Sequence, residues 1–167
     1  MHEGARSAVT IAVLCTLLLI GALWGWSEAT KPLPGKAEAP TCVRQVIERG
    51  EKLYPDQVVV SVFNGSGRSG LAGSTSAQLA ERGFVAGDVA DSPQPAATTQ
   101  IWSSDPTNPA VQLVQQQFKG AEVVPGNPIG VGVVVVVGEK FTALRKKQVE
   151  SVVAEADATI CKATGSE

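Results

Sequence analysis

The fold of this chain is decided by residues 58–84, which read VVVSVFNGSGRSGLAGSTSAQLAERGF. The apolar run 58–63 predicts a buried strand, and the glycine-rich residues 64–70 predict a tight turn after it. A helix then follows over about residues 70–82. We expect Ser69 to be its N-cap and Gly83 to end it, because these residue types favour those positions.

The glycine-rich turn supports two interpretations. Gly65, Gly67 and Gly70 fit the G-x-G-x-x-G pattern between a strand and a helix, and Asp88 follows at the spacing of a ribose-binding carboxylate. This interpretation makes the chain an enzyme or sensor that binds a nucleotide or another phosphate ligand. In the second, the glycines only permit a tight turn and close packing. The chain is short for a doubly wound dinucleotide fold, which favours the structural interpretation.

The remaining pattern repeats the strand–helix rhythm. It predicts an α/β fold: a single small domain with a mixed sheet of about five strands in the order β-α-β-β-α-β-β. Amphipathic spacing predicts one flanking helix at each end of the domain, and the whole lies behind one transmembrane helix. The expected strands are 58–63, 84–90, 98–102, 121–124 and 131–137, and the expected helices are 42–54, 70–82, a segment that begins at Asn108 and Pro109, and 141–160.

Residues 7–26 read SAVTIAVLCTLLLIGALWGW and carry no charge, which is long enough to span a bilayer as a helix. The competing interpretation is a signal peptide cleaved near residues 27–29. The anchor divides the chain into a cytoplasmic tail (1–6), the transmembrane segment (7–26), a Pro-rich tether (27–41), an extracytoplasmic domain (42–161) and a disordered tail (162–167). The flanking charges do not decide the orientation.

Two cysteines, Cys42 and Cys161, lie outside the predicted span, one at each end of the domain. Such a pair predicts one disulfide in an oxidising compartment, and therefore a domain on the outer side of the cell membrane. The alternative is two free thiols on the cytoplasmic side.

The domain lacks the residues that most catalytic mechanisms require. The chain's single histidine is His2, so Ser-His-Asp and Cys-His systems and His-based metal sites are excluded from the domain. Carboxylates remain at Asp88, Asp91 and Asp105, with no spacing that marks an acid/base pair. We therefore expect no enzyme activity, metal or cofactor. A net charge of −2 without a basic block, and 5% aromatic residues, argue against nucleic acid as a partner.

Four residues are candidate ligand contacts: Asn64, Ser66, Arg68 and Trp102. The Arg68 guanidinium, beside the amides of a helix N-terminus, would suit a phosphate or carboxylate, and its alternative is a solvated loop arginine. Trp102 would stack on a sugar ring if it is exposed, and would belong to the core if it is buried.

The series NGSG (64–67), GLA (70–72) and RGF (82–84), with the late valine strand 131–138, resembles the LytR C-terminal domain family of bacterial cell-envelope proteins. The resemblance covers about residues 58–141. The layout of one anchor and two terminal cysteines is similar to the stand-alone actinobacterial members. The resemblance implies a non-catalytic protein that supports cell-envelope integrity by binding peptidoglycan, a wall glycopolymer or an envelope assembly enzyme.

Overall fold

The computed structural model describes residues 13–20, 42–126 and 129–163. The chain divides into two compact units, Met1–Ala37 and Glu38–Glu167.

In the first unit, residues 13–20 are helical (α1) and exposed. Within the described ranges, no helix is both long enough and apolar enough to cross a membrane. The predicted anchor 7–26 extends beyond the described residues on both sides. The predicted tail 1–6 and tether 27–41 lie outside them. These three assignments stay predictions.

The described part of the second unit contains a mixed five-stranded sheet, two short two-stranded sheets, two helices and one 3₁₀ turn at Pro55–Gln57. The helices are α2 (Leu71–Glu81) and α3 (Pro109–Gln115). The strands are β1 (Cys42–Ile47), β2 (Lys52–Leu53), β3 (Val59–Asn64), β4 (Val85–Asp91), β5 (Gln100–Trp102), β6 (Glu122–Val124), β7 (Val133–Val137), β8 (Val152–Val153) and β9 (Ala158–Ala163).

The five-stranded sheet has the order β4-β3-β7-β5-β6, with β3 parallel to both neighbours and β5 antiparallel to β7. Along the chain, the elements of this sheet follow the predicted order β-α-β-β-α-β-β, which is confirmed. All five valines of β7 are buried, because this strand is covered on both faces. Burying one such side chain contributes about 1.5–3 kcal/mol, so the valine run is a main source of stability.

The two faces of the sheet are covered differently. On one face, Val62 and Val135 pack with Leu79 of α2 and Leu113 of α3 in the main core. On the other face, a smaller cluster contains Phe63, Ala96, Val134 and Val136. Both helices therefore pack on the same face, while loops cover the opposite one.

Of the caps predicted for α2 and α3, one differs from the structure. The prediction that Ser69 caps α2 is wrong: the N-cap is Gly70, at φ 75, with no side-chain cap. Glycine takes this left-handed conformation without steric cost, so the chain can turn sharply out of β3. Gly83, at φ 90, ends α2 as expected. Asn108 caps α3 as expected, and its Oδ1 accepts a hydrogen bond from the Ala110 N–H.

The predicted N-terminal helix is wrong, because residues 42–47 form strand β1. β1 pairs antiparallel with β9 at the other end of the domain, from Cys42 opposite Ala163 to Ile47 opposite Ala158. Ile47 is fully buried in the main core. The apolar spacing that predicted an amphipathic helix therefore belongs to an extended segment, whose partner lies more than a hundred residues away.

The predicted C-terminal helix is also wrong. Phe141 and Leu144 are buried, but the segment that carries them is irregular and is followed by β8 and β9. Arg145 donates from its backbone N–H to the Gln117 carbonyl (2.8 Å) and from Nε to the Phe118 carbonyl (2.7 Å). These hydrogen bonds replace those of a helix. Phe141 and Leu144 each pack into the core individually and not as one face of a helix.

A buried glutamine fastens this segment to the helices. Gln117 is fully buried, and its Oε1 accepts a hydrogen bond from Arg82 at 2.9 Å. Its Nε2 donates to the Val149 carbonyl at 2.9 Å, while Arg82 also donates to the Arg145 carbonyl at 2.6 Å. Because its polar atoms are satisfied, the burial of this amide carries little penalty.

The predicted disulfide between Cys42 and Cys161 is present, with a Cα–Cα distance of 5.2 Å and a sequence separation of 119. It joins strands β1 and β9, not the two helices expected there. β9 continues to Ala163, two residues past the predicted domain boundary, and residues 164–167 lie outside the described residues.

We expect the disulfide to contribute strongly to stability. Replacing both cysteines (Cys42→Ala with Cys161→Ala) should lower the free energy of unfolding by about 4–5 kcal/mol, because the bridge closes a long loop in the unfolded chain. Equilibrium unfolding of the full chain in urea measures this change. Cys15→Ala, which removes the free and exposed thiol of α1, is the control. A loss below about 1 kcal/mol would contradict the expectation.

Two glycines with similar backbone conformations allow the cost of backbone strain to be measured separately from the cost of steric overlap. Gly132 (φ +75) and Gly50 (φ +88) both have positive φ, but a Cβ at 132 would overlap the Val59 carbonyl oxygen, whereas one at 50 meets nothing within 4 Å. Gly50→Ala should cost about 1–2 kcal/mol. Gly132→Ala should cost about 1–3 kcal/mol more, because of overpacking. If the two variants had equal unfolding midpoints in urea, β3 would shift at Val59 without cost, and the expected penalty for overlap would be contradicted.

Candidate functional site

The glycine-rich turn opens at the carboxyl edge of the sheet. Because β4 and β7 are both parallel to β3, the ends of all three strands meet there. In open α/β sheets, ligands bind outside the carboxyl ends of the strands. The turn borders an open cleft of about 600 Å³, lined by residues 64–70, 91–93, 95 and 139, which we call the glycine-turn cleft.

Asn64 organises the turn. Its Oδ1 accepts hydrogen bonds from the backbone N–H (3.1 Å) and the hydroxyl (2.8 Å) of Ser66, and its Nδ2 donates to the Arg68 carbonyl (2.9 Å). The Ser66 hydroxyl oxygen in turn accepts from the Arg68 N–H at 3.2 Å. This is an Asx turn, in which an asparagine side chain substitutes for a backbone bond. The loop conformation is therefore set before any ligand arrives.

Arg68 connects the turn to the segment after β7. One terminal guanidinium nitrogen, Nη2, donates to the Phe141 carbonyl at 2.6 Å and to the Gly138 carbonyl at 3.4 Å. The residue as a whole is exposed, but its guanidinium is not simply solvated. Arg68 therefore has a structural role, and the ligand contact that the sequence suggested stays a prediction.

The backbone N–H that would bind a phosphate already donates a hydrogen bond to a carboxylate of the same chain. The Gly67 N–H, inside the G-x-G-x-x-G pattern, donates to Glu139 Oε1 at 2.6 Å. An anionic ligand would have to displace this charge-assisted bond and would meet the repulsion of the carboxylate. This contact speaks against the nucleotide interpretation of the turn.

Asp88, the expected ribose-binding carboxylate, lies three residues before the end of β4. Its Oδ2 accepts from the Val131 N–H at 3.2 Å, and its own N–H donates to the Ser61 hydroxyl at 3.0 Å. Asp88 therefore holds the loop before β7 onto the sheet. Asp105 similarly serves a local turn, where its Oδ1 accepts from the Thr107 N–H at 3.0 Å.

The charges that line the glycine-turn cleft are mostly negative. Asp91 and Glu139 supply two carboxylates and Arg68 supplies one guanidinium. Asp91 is exposed, and its Oδ1 lies 3.4 Å from the Asn64 amide nitrogen. Carboxylate oxygens accept hydrogen bonds from hydroxyl and ammonium groups. The cleft is therefore suited to hydroxyl-rich or cationic groups.

Trp102 lies away from the other three candidate contacts. It is opposite Val134 in the β5–β7 pair, level with Ser61, and thus three residues, or about 10 Å, from the end of β3. Its indole Nε1 donates to Gln100 Oε1 at 3.1 Å, and a Cβ at Gly126 would overlap the ring. The ring is half-buried and packs against this glycine. The structure thus brings Asn64, Ser66 and Arg68 together without Trp102.

Sequence reasoning missed Glu139 as a member of the site and considered Asp91 only as a catalytic carboxylate. A signal for Glu139 was present, since it comes two residues after a buried valine strand. If that strand is parallel to its neighbour, its end must lie beside the glycine-rich turn. Among the described residues, no group of three or more His, Cys, Asp or Glu side chains could hold a metal ion.

Comparison with known proteins places this fold in a family. The family model described as LytR cell envelope-related transcriptional attenuator matches residues 57–141. Among solved structures, the chain is similar to the soluble domain of a conserved hypothetical secreted protein from Mycobacterium marinum. The two are 23% identical with a TM-score of 0.46, over 60% of this chain and 79% of that chain. No match was found among curated proteins.

The matched region contains the NGSG, GLA and RGF series and the valine strand, and it spans half of the chain. The chain therefore belongs to the LytR C-terminal domain family.

Proposed function

We propose that this chain is a non-catalytic module of the cell envelope that supports envelope integrity by binding wall material at the glycine-turn cleft. The cell-envelope relation of the family supports this role. The Cys42–Cys161 disulfide supports an oxidising, extracytoplasmic compartment. In this proposal, residues 7–26 hold the domain at the membrane and residues 27–41 are its tether.

The observation that carries the proposal is the pre-formed polar cleft at the carboxyl edge of β3, β4 and β7. Its turn is fixed by the Asn64 and Ser66 side chains, so a ligand would bind without ordering the loop. Its carboxylates, Asp91 and Glu139, favour the hydroxyl, amide and ammonium groups of peptidoglycan over the phosphodiesters of a wall glycopolymer. An envelope assembly enzyme is the remaining class of partner.

The proposal includes no reaction. One oxygen of the Glu139 carboxylate, Oε1, accepts from the Gly67 N–H, and the domain contains no histidine that could act as a base beside it. The arrangement therefore serves binding and positioning.

Co-sedimentation with isolated cell walls tests the proposal. The purified full chain, kept soluble by a mild detergent and oxidised, should sediment with walls. Asp91→Ala should weaken this binding at least about tenfold, because a hydrogen bond to a charged group is worth about 1.5–3 kcal/mol. Asp56→Ala removes a carboxylate that is also exposed, from the 3₁₀ turn, and should leave binding unchanged.

Walls stripped of their attached glycopolymers identify the ligand. Retained binding would point to peptidoglycan, and lost binding would point to the glycopolymer. If Asp91→Ala and Asp56→Ala behaved alike, the ligand would not occupy this cleft. If the unmodified chain bound neither wall preparation, wall binding would be refuted, and crosslinking in membranes would be used to find a protein partner.

A further inference from the structure

A second cleft lies at the opposite end of the same strands. It has a volume of about 260 Å³ and lies where the β1–β9 pair meets the amino ends of β3 and β7. Val58, Val111 and Val133 contribute apolar lining, and the Cys42–Cys161 disulfide forms part of the wall. We call it the disulfide cleft.

Among the described residues that line the disulfide cleft, Arg44 is the single charged one. In the described part of the chain, no hydrogen bond or ion pair engages its guanidinium. The arginines Arg68, Arg82 and Arg145, by contrast, all donate from their side chains to backbone carbonyls. The Arg44 guanidinium therefore keeps its donors for a ligand.

Strand pairing and the disulfide hold Arg44 at this position. Arg44 lies opposite Cys161 in the β1–β9 register and two residues from Cys42. The disulfide therefore joins β1 to β9 directly beside Arg44. Thr159, which lies opposite Val46, is its diagonal neighbour and also lines the cleft. Diagonal neighbours on one face of a strand pair are within reach of long side chains. A guanidinium and a hydroxyl are thus available at one wall.

We propose that the disulfide cleft binds a sugar residue that carries one anionic group. The carboxylate or phosphate pairs with Arg44, because a guanidinium matches the two oxygens of such a group in a bidentate bond. The apolar face of the sugar ring packs on the valine lining. Thr159 accepts or donates a hydrogen bond at a ring hydroxyl.

The size of the cleft limits the ligand. Pockets for drug-sized ligands measure about 300–1,000 Å³, so a volume of 260 Å³ suits one ring and its substituent, not a longer chain. Its charge limits the ligand further. Arg44 attracts an anion to the disulfide cleft, whereas the carboxylates Asp91 and Glu139 repel an anion from the glycine-turn cleft.

This inference goes beyond the proposed function, and the two can fail separately. Among the residues that the structure describes, the two clefts share no lining residue. Asn64 and Val59 mark the ends of β3 nearest to each cleft and are five residues, or about 16 Å, apart along the strand. A variant in one cleft leaves the other intact.

Calorimetric titration of the oxidised full chain with three sugars tests this site. N-acetylmuramic acid carries a carboxylate, N-acetylglucosamine 1-phosphate carries a phosphate, and N-acetylglucosamine carries no charge. We expect at least one of the two acids to bind and the neutral sugar to bind at least tenfold more weakly. Whichever acid binds more tightly identifies the source of the anion.

Two matched arginine variants locate the binding. Arg44→Gln should weaken binding of the acid at least tenfold. Arg49→Gln changes an arginine of the neighbouring turn that is also exposed and lies outside the cleft, and it should leave binding unchanged. Unfolding midpoints in urea that match that of the unmodified chain would confirm that both variants are folded.

Three results would overturn the proposal: no binding of either acid, equal binding of the neutral sugar, or equal effects of Arg44→Gln and Arg49→Gln. Asp91→Ala, in the glycine-turn cleft, tests whether the two binding sites are separate. If it weakens wall binding but leaves acid binding unchanged, the two sites are separate. If it weakens acid binding as strongly as Arg44→Gln does, the acid binds at the glycine-turn cleft and the present assignment is wrong.

Discussion

The parallel pairing of β3 with β7 is the constraint on which the rest of this structure depends. The pair places Val60 beside Val133 and Asn64 beside Val137, and nearly every side chain between them is buried. Two apolar strands side by side need cover on both faces, which the helices supply on one face and the loops on the other. Gly132 lets the chain enter β7 against the Val59 carbonyl, where any side chain would be too large.

The same pairing builds the glycine-turn cleft. Since β3 and β7 run in parallel and end together, the turn after one strand meets the segment after the other. Gly67 can then donate to Glu139, and Arg68 can reach the Phe141 carbonyl. A motif that would suit a phosphate in isolation is instead closed by a carboxylate of its own chain. The chemical character of the cleft is thus set by the neighbouring strand, not by the glycine pattern.

The two ends of the sheet differ in the sign of their charge. At the carboxyl end, two carboxylates face one guanidinium that is bound to backbone carbonyls. At the amino end, Arg44 is the charged lining residue, on a strand fastened by the disulfide. Under the two proposals above, the cleft at the carboxyl end takes hydroxyl, amide and ammonium groups and the cleft at the amino end takes an anionic group, so the domain would hold a wall polymer in a defined orientation.

Local sequence determined the strand–turn–helix of residues 58–84, the succession of strands and helices along the chain from β3 to β7, the Asn108 cap and the pairing of Cys42 with Cys161. These features depend on interactions between near neighbours in the chain or, for the cysteines, on there being one possible pair in the domain. Tertiary structure decided that residues 42–47 form a strand, that the segment after Phe141 is irregular, that Trp102 lies apart from Asn64, and that Glu139 reaches Gly67. The apolar residues of 42–47 fit one face of a helix and also one strand of a pair. The strand forms because β1 pairs with β9, whose cysteine lies 119 residues away in the chain. Patterns over a few residues contain no information about such a distant partner, so only the folded chain decides between the two.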